Sequence, residues 1–190
     1  MKPHHLHLDF KRFTLQIGLA GFGLMVGYLT LFWEGSQTVL PLGSASNPVD
    51  FYAEQLDGRH FGLDGKLQQT LIAERMTHYR DSNESLLIEP RVTSIGNDGR
   101  RWYGESREAT LFGDESVQLR RDVVINEIDG SARLTTERLN WHLPSQRVDT
   151  DLPVTLVQTG QTLHGTGLRA DLEKERSELL HDVEGLHELR

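Results

Sequence analysis

The chain has 190 residues, no cysteine and a formal net charge of −8. That length accommodates one membrane anchor plus one domain of about 100–150 residues, not two globular units. An acidic excess spread along the chain leaves no basic face to follow a phosphate backbone, and the missing cysteines exclude disulfides, thiolate nucleophiles and zinc–thiolate sites.

Residues 1–12 form a tail that contains Lys2, Lys11 and Arg12. From Phe13 to Trp33 the 21 residues FTLQIGLAGFGLMVGYLTLFW carry no charge, and a helix of that length, rising about 1.5 Å per residue, crosses a hydrocarbon core of about 30 Å. Tyr28, Phe32 and Trp33 gather at its far end, where aromatic rings favour the headgroup region. After Glu34 no Lys or Arg appears until Arg59, so the N-terminus is expected on the cytoplasmic side and the rest of the chain on the other. A cleaved signal peptide is the competing reading, because Gly43-Ser44-Ala45 offers small residues at a cleavage spacing. Its apolar region would run about 7–15 residues and end near the cut, whereas this run is longer and stops 12 residues before Ala45. Within the span, Gly23 and Gly27 form a small-xxx-small pair that admits close approach of a partner helix; the alternative is the ordinary abundance of glycine in membrane helices. His4, His5 and His7 lack a carboxylate cluster beside them, so neither a metal nor a cofactor is expected.

Residues 34–48 are rich in Gly, Ser and Pro and read as a tether. The domain is expected over 49–190. Short alternating runs such as Arg133–Trp141 suggest half-buried strands, separated by turn signals at Asp57-Gly58, Asp64-Gly65, Asn97-Asp98-Gly99, Gly113-Asp114, Asp129-Gly130 and Thr159-Gly160. Four segments share one plan, strand, charged turn, short strand, then a pivot and another strand. The pivots Pro90, Asp122, Pro153 and Asp182 lie 32, 31 and 29 residues apart, a period that predicts stacked strand-turn-strand units. Pro cannot donate to a ladder and Asp bonds its own backbone, so either one bends a strand where one sheet passes to the next.

The expected fold is therefore all-β, an open antiparallel sandwich or jelly roll of two facing sheets. Its inner faces would carry Leu71, Met76, Leu86, Ile88, Val92, Ile95, Trp102, Val117, Leu119, Val123, Ile125, Leu139, Trp141, Val148, Val154 and Leu156. Leu87 belongs with them as the other parity of Leu86-Leu87-Ile88, a run whose apolar residues fall on both sides. Strand edges are expected at Phe51, Tyr52 and Leu56 and at Leu179, Leu180, Val183 and Leu186. Such edges are either blunted or available for strand addition by a partner.

The tail, single span and tether lead into VDFYAEQLDGRHFGLDGKLQQTLIAERMTHY, and the chain closes with LTTERLNWHLPSQRVDTDLPVTLVQTGQTLHGTGLRADL. In this order and spacing the whole chain resembles the LptC family of lipopolysaccharide export components, and its later repeats are similar to those of LptA-like and organic-solvent-tolerance proteins. The resemblance implies a β-jelly roll beside an inner-membrane ABC transporter, with the N-terminal edge toward the transporter and the C-terminal edge toward an LptA-like periplasmic protein. It implies lipopolysaccharide as cargo on the inner face. It also singles out Gly65 and Gly160 as turn glycines, for folding or for ligand contact.

From the residues alone, that inner face serves equally as the core any β-sandwich needs. A scaffold that binds no lipid and only bridges a membrane complex to periplasmic partners is thus the alternative. No catalytic function is expected, since no Gly-x-Ser-x-Gly elbow, His-Glu-x-x-His helix or phosphate-binding Gly-rich loop occurs.

Overall fold

The computed structural model describes residues 48–95, 99–128, 130, 132–158, 160–172, 174 and 176–187. The expected span 13–33, with Gly23 and Gly27, lies outside the described residues, as does nearly all of the tether. Eleven strands follow one another: β1 (Val49–Phe61), β2 (Leu67–Tyr79), β3 (Glu84–Ile88), β4 (Arg91–Ile95), β5 (Arg101–Glu105), β6 (Glu108–Phe112), β7 (Ser116–Glu127), β8 (Arg133–His142), β9 (Arg147–Gln158), β10 (Gln161–Asp171) and β11 (Arg176–His187). Neighbouring strands pair antiparallel throughout, and no helix occurs among the described residues.

The strands form one sheet that bends into two layers. β2 pairs with β3 through residues 75–79 and with β4 through 69–72, while β7 pairs with β6 through 116–120 and with β5 through 124–127. Strands β2-β3-β6-β7 therefore make the start of layer I, and β2-β4-β5-β7 the start of layer II. From β7 onward each long strand serves both: β8, β9, β10 and β11 stack in sequence order, each with a break in register partway along its pairing. Buried residues of both layers form one hydrophobic core cluster, the arrangement of a β-jelly roll.

The bends fall at or near the expected pivots. Left-handed backbone occurs at Glu89 (φ 51°), beside Pro90, at Arg121 (63°) and Asp122 (53°), and at Asp182 (50°). At Pro153 the β8–β9 ladder is interrupted between Thr136 and Asn140. Two further bends, at Gln55 (φ 52°) and Gly167 (φ 81°), complete β1 and β10. Ion pairs staple the outside of this spine: Arg107 to Glu89 (3.0 Å) and Asp122 (2.9 Å), with Arg121 to Glu108 and Arg138 to Asp151. The Arg138 guanidinium holds the Asp151 carboxyl below its ordinary value.

At the other end of layer I the turns are tied to one another. Gly113 donates its N–H to the Asn83 carbonyl, Leu143 to Glu115 and Leu172 to Gln146, each at 2.9 Å. Backbone groups that a strand-to-strand turn leaves unpaired are thus satisfied by the next turn along, and Leu143 and Leu172 are buried beneath them.

Candidate functional site

The surface between the layers is assembled from alternate residues of every strand. Leu71 and Met76 of β2, Val92 of β4, Trp102 of β5, Val117, Leu119, Val123 and Ile125 of β7, Leu139 and Trp141 of β8, and Val148, Val154 and Leu156 of β9 all face it and are buried. Three expected members do not. Leu87, 1 % exposed, occupies the inner position of β3, so Leu86 and Ile88 turn outward and are only half-buried. The register decides this parity: Leu87 lies opposite Met76 on one side and Ala109 on the other, both buried. Ser85 follows Leu87 inward by strand alternation, and the His78 imidazole Nδ1, opposite it on β2, meets its hydroxyl at 3.0 Å. On β4, Val92 and Ser94 point in, which leaves Ile95 outward and 40 % exposed.

The interior also holds residues that sequence patterning passed over: Ala73, Ala109, Leu111, Leu134, Leu143, Leu168, Ala170 and Leu172. Leu168-Ala170-Leu172 alternates cleanly, a signal masked by the glycines just before it. Between the layers, Val92, Ser94, Trp102, Gly104, Leu119 and Ile125 surround a cavity of about 30 Å³. Leu119 lies in layer I and the others in layer II, so the space is interlayer; it exists because Gly104 has no side chain, and a Cβ there would come within 3.0 Å of Ile125.

Buried polar side chains divide into two groups. Thr136 donates to the Pro153 carbonyl (2.9 Å), Ser106 to the Glu108 carbonyl (2.8 Å), Thr110 accepts from Arg120 (3.1 Å) and Thr150 from the Leu152 N–H (3.2 Å). In contrast, neither amide atom of Gln69, 1 % exposed, nor the indole N–H of Trp102, 5 % exposed, has a hydrogen-bond partner among the described residues. An orphaned polar group of this kind costs about 1–3 kcal/mol. Reading from sequence missed Gln69, since a glutamine in an alternating strand reads as solvent-facing.

The two extremities of the sheet are open. Among the described residues β1 pairs only with β2, and β11 only with β10. On β1, Phe51 and Leu56 pack inward against the core, whereas Tyr52 is 70 % exposed. On β11, Leu179 packs inward and Leu180 lies over Gly167, while Val183 and Leu186 are exposed. Gly65 and Gly160 both have left-handed backbone, at φ 75° and 74°, and a methyl group at either would meet open space. They serve turn conformation rather than close approach.

The His78 imidazole meets the Ser85 hydroxyl as a nucleophile–base pair would, but among the described residues no carboxylate hydrogen-bonds the ring, which instead stacks on Phe51 at 4.9 Å. Triad logic needs that third group.

An apolar interlayer surface with an open bent strand at each end is what the geometry supplies, and comparison with known proteins gives it a lineage. The model of the LptC-related lipopolysaccharide-assembly family matches residues 22–188. The chain belongs to the LptC family. It is 26 % identical over 149 residues to the lipopolysaccharide export system protein LptC of Escherichia coli K12, covering 76 % of this chain and 78 % of that protein. The LptC of Shigella flexneri matches over the same share at the same identity.

Proposed function

We propose that this protein carries lipopolysaccharide from the inner membrane toward the outer membrane, holding acyl chains between its two layers. The single observation that carries the reading is the apolar interlayer surface, which runs unbroken from one free sheet edge to the other in a member of a lipopolysaccharide-assembly family. Acyl chains exposed to water cost about 25 cal/mol per Å² of apolar area, and an interior lined by Leu, Val, Ile, Met and Trp offsets that cost. The role is transport, not catalysis. Residues 13–33 anchor the chain once in the inner membrane, with the N-terminus cytoplasmic and the domain periplasmic. The β1 edge meets an inner-membrane ABC transporter complex, and the β11 edge passes cargo to an LptA-like protein by strand pairing that continues the ladder.

Photo-crosslinking residues at the inward positions Leu71, Val92 and Leu139 should capture lipopolysaccharide in cells, while the outward positions Leu86 and Ile95 should not. Capture at none of the inward positions removes the carrier reading. The alternative, a scaffold that only bridges partners through its edges, has the small size of the interlayer cavity, about 30 Å³, in its favour. It predicts edge crosslinks to partner proteins with no lipid inside.

A further inference from the structure

The inner face of layer II is ordered by polarity along the strand direction. One row across it is apolar: Leu71, Val92, Gly104, Ile125, Leu134 and Leu156 lie side by side in register. Two residues nearer the turns, the adjoining row reads Gln69, Ser94, Trp102 and Glu127. Strands are about 4.8 Å apart, so Gln69 and Trp102 are separated by roughly 10 Å, with only the short Ser94 between them. Both are buried and point inward, and the donors and acceptor they carry have no hydrogen-bond partner among the described residues. Arg120 Nε and Gln146 Oε1, which share that state, lie at the other end of the fold, in layer I. The interlayer cavity is lined by Ser94 and Trp102 from this row and by Val92, Gly104 and Ile125 from the apolar one, so it straddles the boundary.

We infer that Gln69 and Trp102 form a polar station that binds the carbonyl or hydroxyl group at the head of a lipid acyl chain, while the chain itself lies on the apolar row. The complementarity is chemical. A carboxamide offers donors and an acceptor, the indole offers a donor, and an ester or amide carbonyl, or a hydroxyl on the chain, supplies what they lack. An amphiphile inserted from the turn end meets the polar row before the apolar one, so the station fixes how deep the chain sits. A site built around buried hydrogen-bonding groups discriminates against ligands without the matching group. This inference rests on the lipopolysaccharide reading above and adds where in the interior the cargo is registered.

The test uses the full-length protein in detergent, with binding measured for two probes: lipopolysaccharide, and an alkyl glycoside of matched chain length whose chain bears neither carbonyl nor hydroxyl. Gln69→Met conserves volume and removes both polar amide atoms; Trp102→Phe removes the indole N–H. Each is expected to weaken lipopolysaccharide binding about three- to tenfold, as loss of one hydrogen bond implies, with the alkyl probe bound as before and the melting temperature unchanged or raised. If the variants bind lipopolysaccharide as the unmodified protein does, the two groups are satisfied by internal water and the station is overturned while the carrier reading stands. An equal loss for both probes, or a lowered melting temperature that accounts for the loss, makes the residues packing elements and overturns it too. If the unmodified protein binds no lipopolysaccharide, the carrier reading falls first and the station with it. Should Gln69→Met not fold, Trp102→Phe alone decides.

Discussion

Layers I and II are built from the same strands and end differently. In layer I the turns bond to each other in succession, through Gly113 to Asn83, Leu143 to Glu115 and Leu172 to Gln146, and leucines are buried beneath them. Layer II carries the orphaned Gln69 and Trp102 inside. Outside it exposes Ile72, Ile95, Ile128, Val157 and Leu186. A fold whose sequence repeats from strand to strand has thus given its two walls different finishes: one is tied turn to turn, the other buries Gln69 and Trp102 at its turn end. In the first wall Arg120 Nε and Gln146 Oε1 also lack a hydrogen-bond partner among the described residues. Local stability follows satisfied contacts, so layer I is the wall expected to stay fixed when cargo enters.

The largest effect should come from the closed wall. Leu87→Ala opens a cavity opposite Met76 and Ala109 and is expected to cost about 2–5 kcal/mol in urea unfolding. Leu86→Ala, one residue away on the outer face, should cost less than about 1 kcal/mol. Similar losses for both would break the assigned parity of β3. Next come the turn glycines. Placing an L-residue in left-handed backbone costs about 1–2 kcal/mol, so Gly65→Ala and Gly160→Ala on layer II should each lose about that much and retain lipid capture. Gly113→Ala on layer I should lose more, because its methyl would also come within 2.9 Å of the Asn83 side chain. Equal losses at all three would mean that the Asn83 side chain gives way to the methyl at no cost.

The smallest effect concerns pH. Partial burial and a 2.6 Å hydrogen bond to Glu105 push the Tyr103 hydroxyl up to about 12, against about 10 for an unfolded tyrosine. The unfolded chain therefore ionises first, and the stability this group contributes is complete below pH 10 and lost as pH rises toward 12. Tyr103→Phe should flatten that part of the alkaline unfolding curve. An unchanged curve would detach Tyr103 from the stability of layer II.

The bends were legible in the sequence because they fall on residues with a backbone reason to bend: Pro90 lacks a donor, and Asp122 and Asp182 accept left-handed φ more readily than most residues. Gln55 and Arg121 carry no such mark; their conformation is imposed by the strands they pair with, β2 for the first and the neighbours of β7 for the second. Parity was legible wherever apolar and polar residues alternate, as along β8, and was lost at Leu86-Leu87-Ile88, where only pairing with Met76 and Ala109 decides. The candidate site followed the same division. Its apolar lining could be read from alternation. Gln69 was hidden, because a buried glutamine announces itself only once its neighbours across the sheet are known.

Since every long strand crosses from one wall to the other, another bent strand laid along β11 would lengthen both walls at once and leave their separation untouched. The cross-section of such a trough and its length are independent variables. Repeats added at an end change how far an amphiphile travels under cover; substitutions within a repeat change which amphiphile fits.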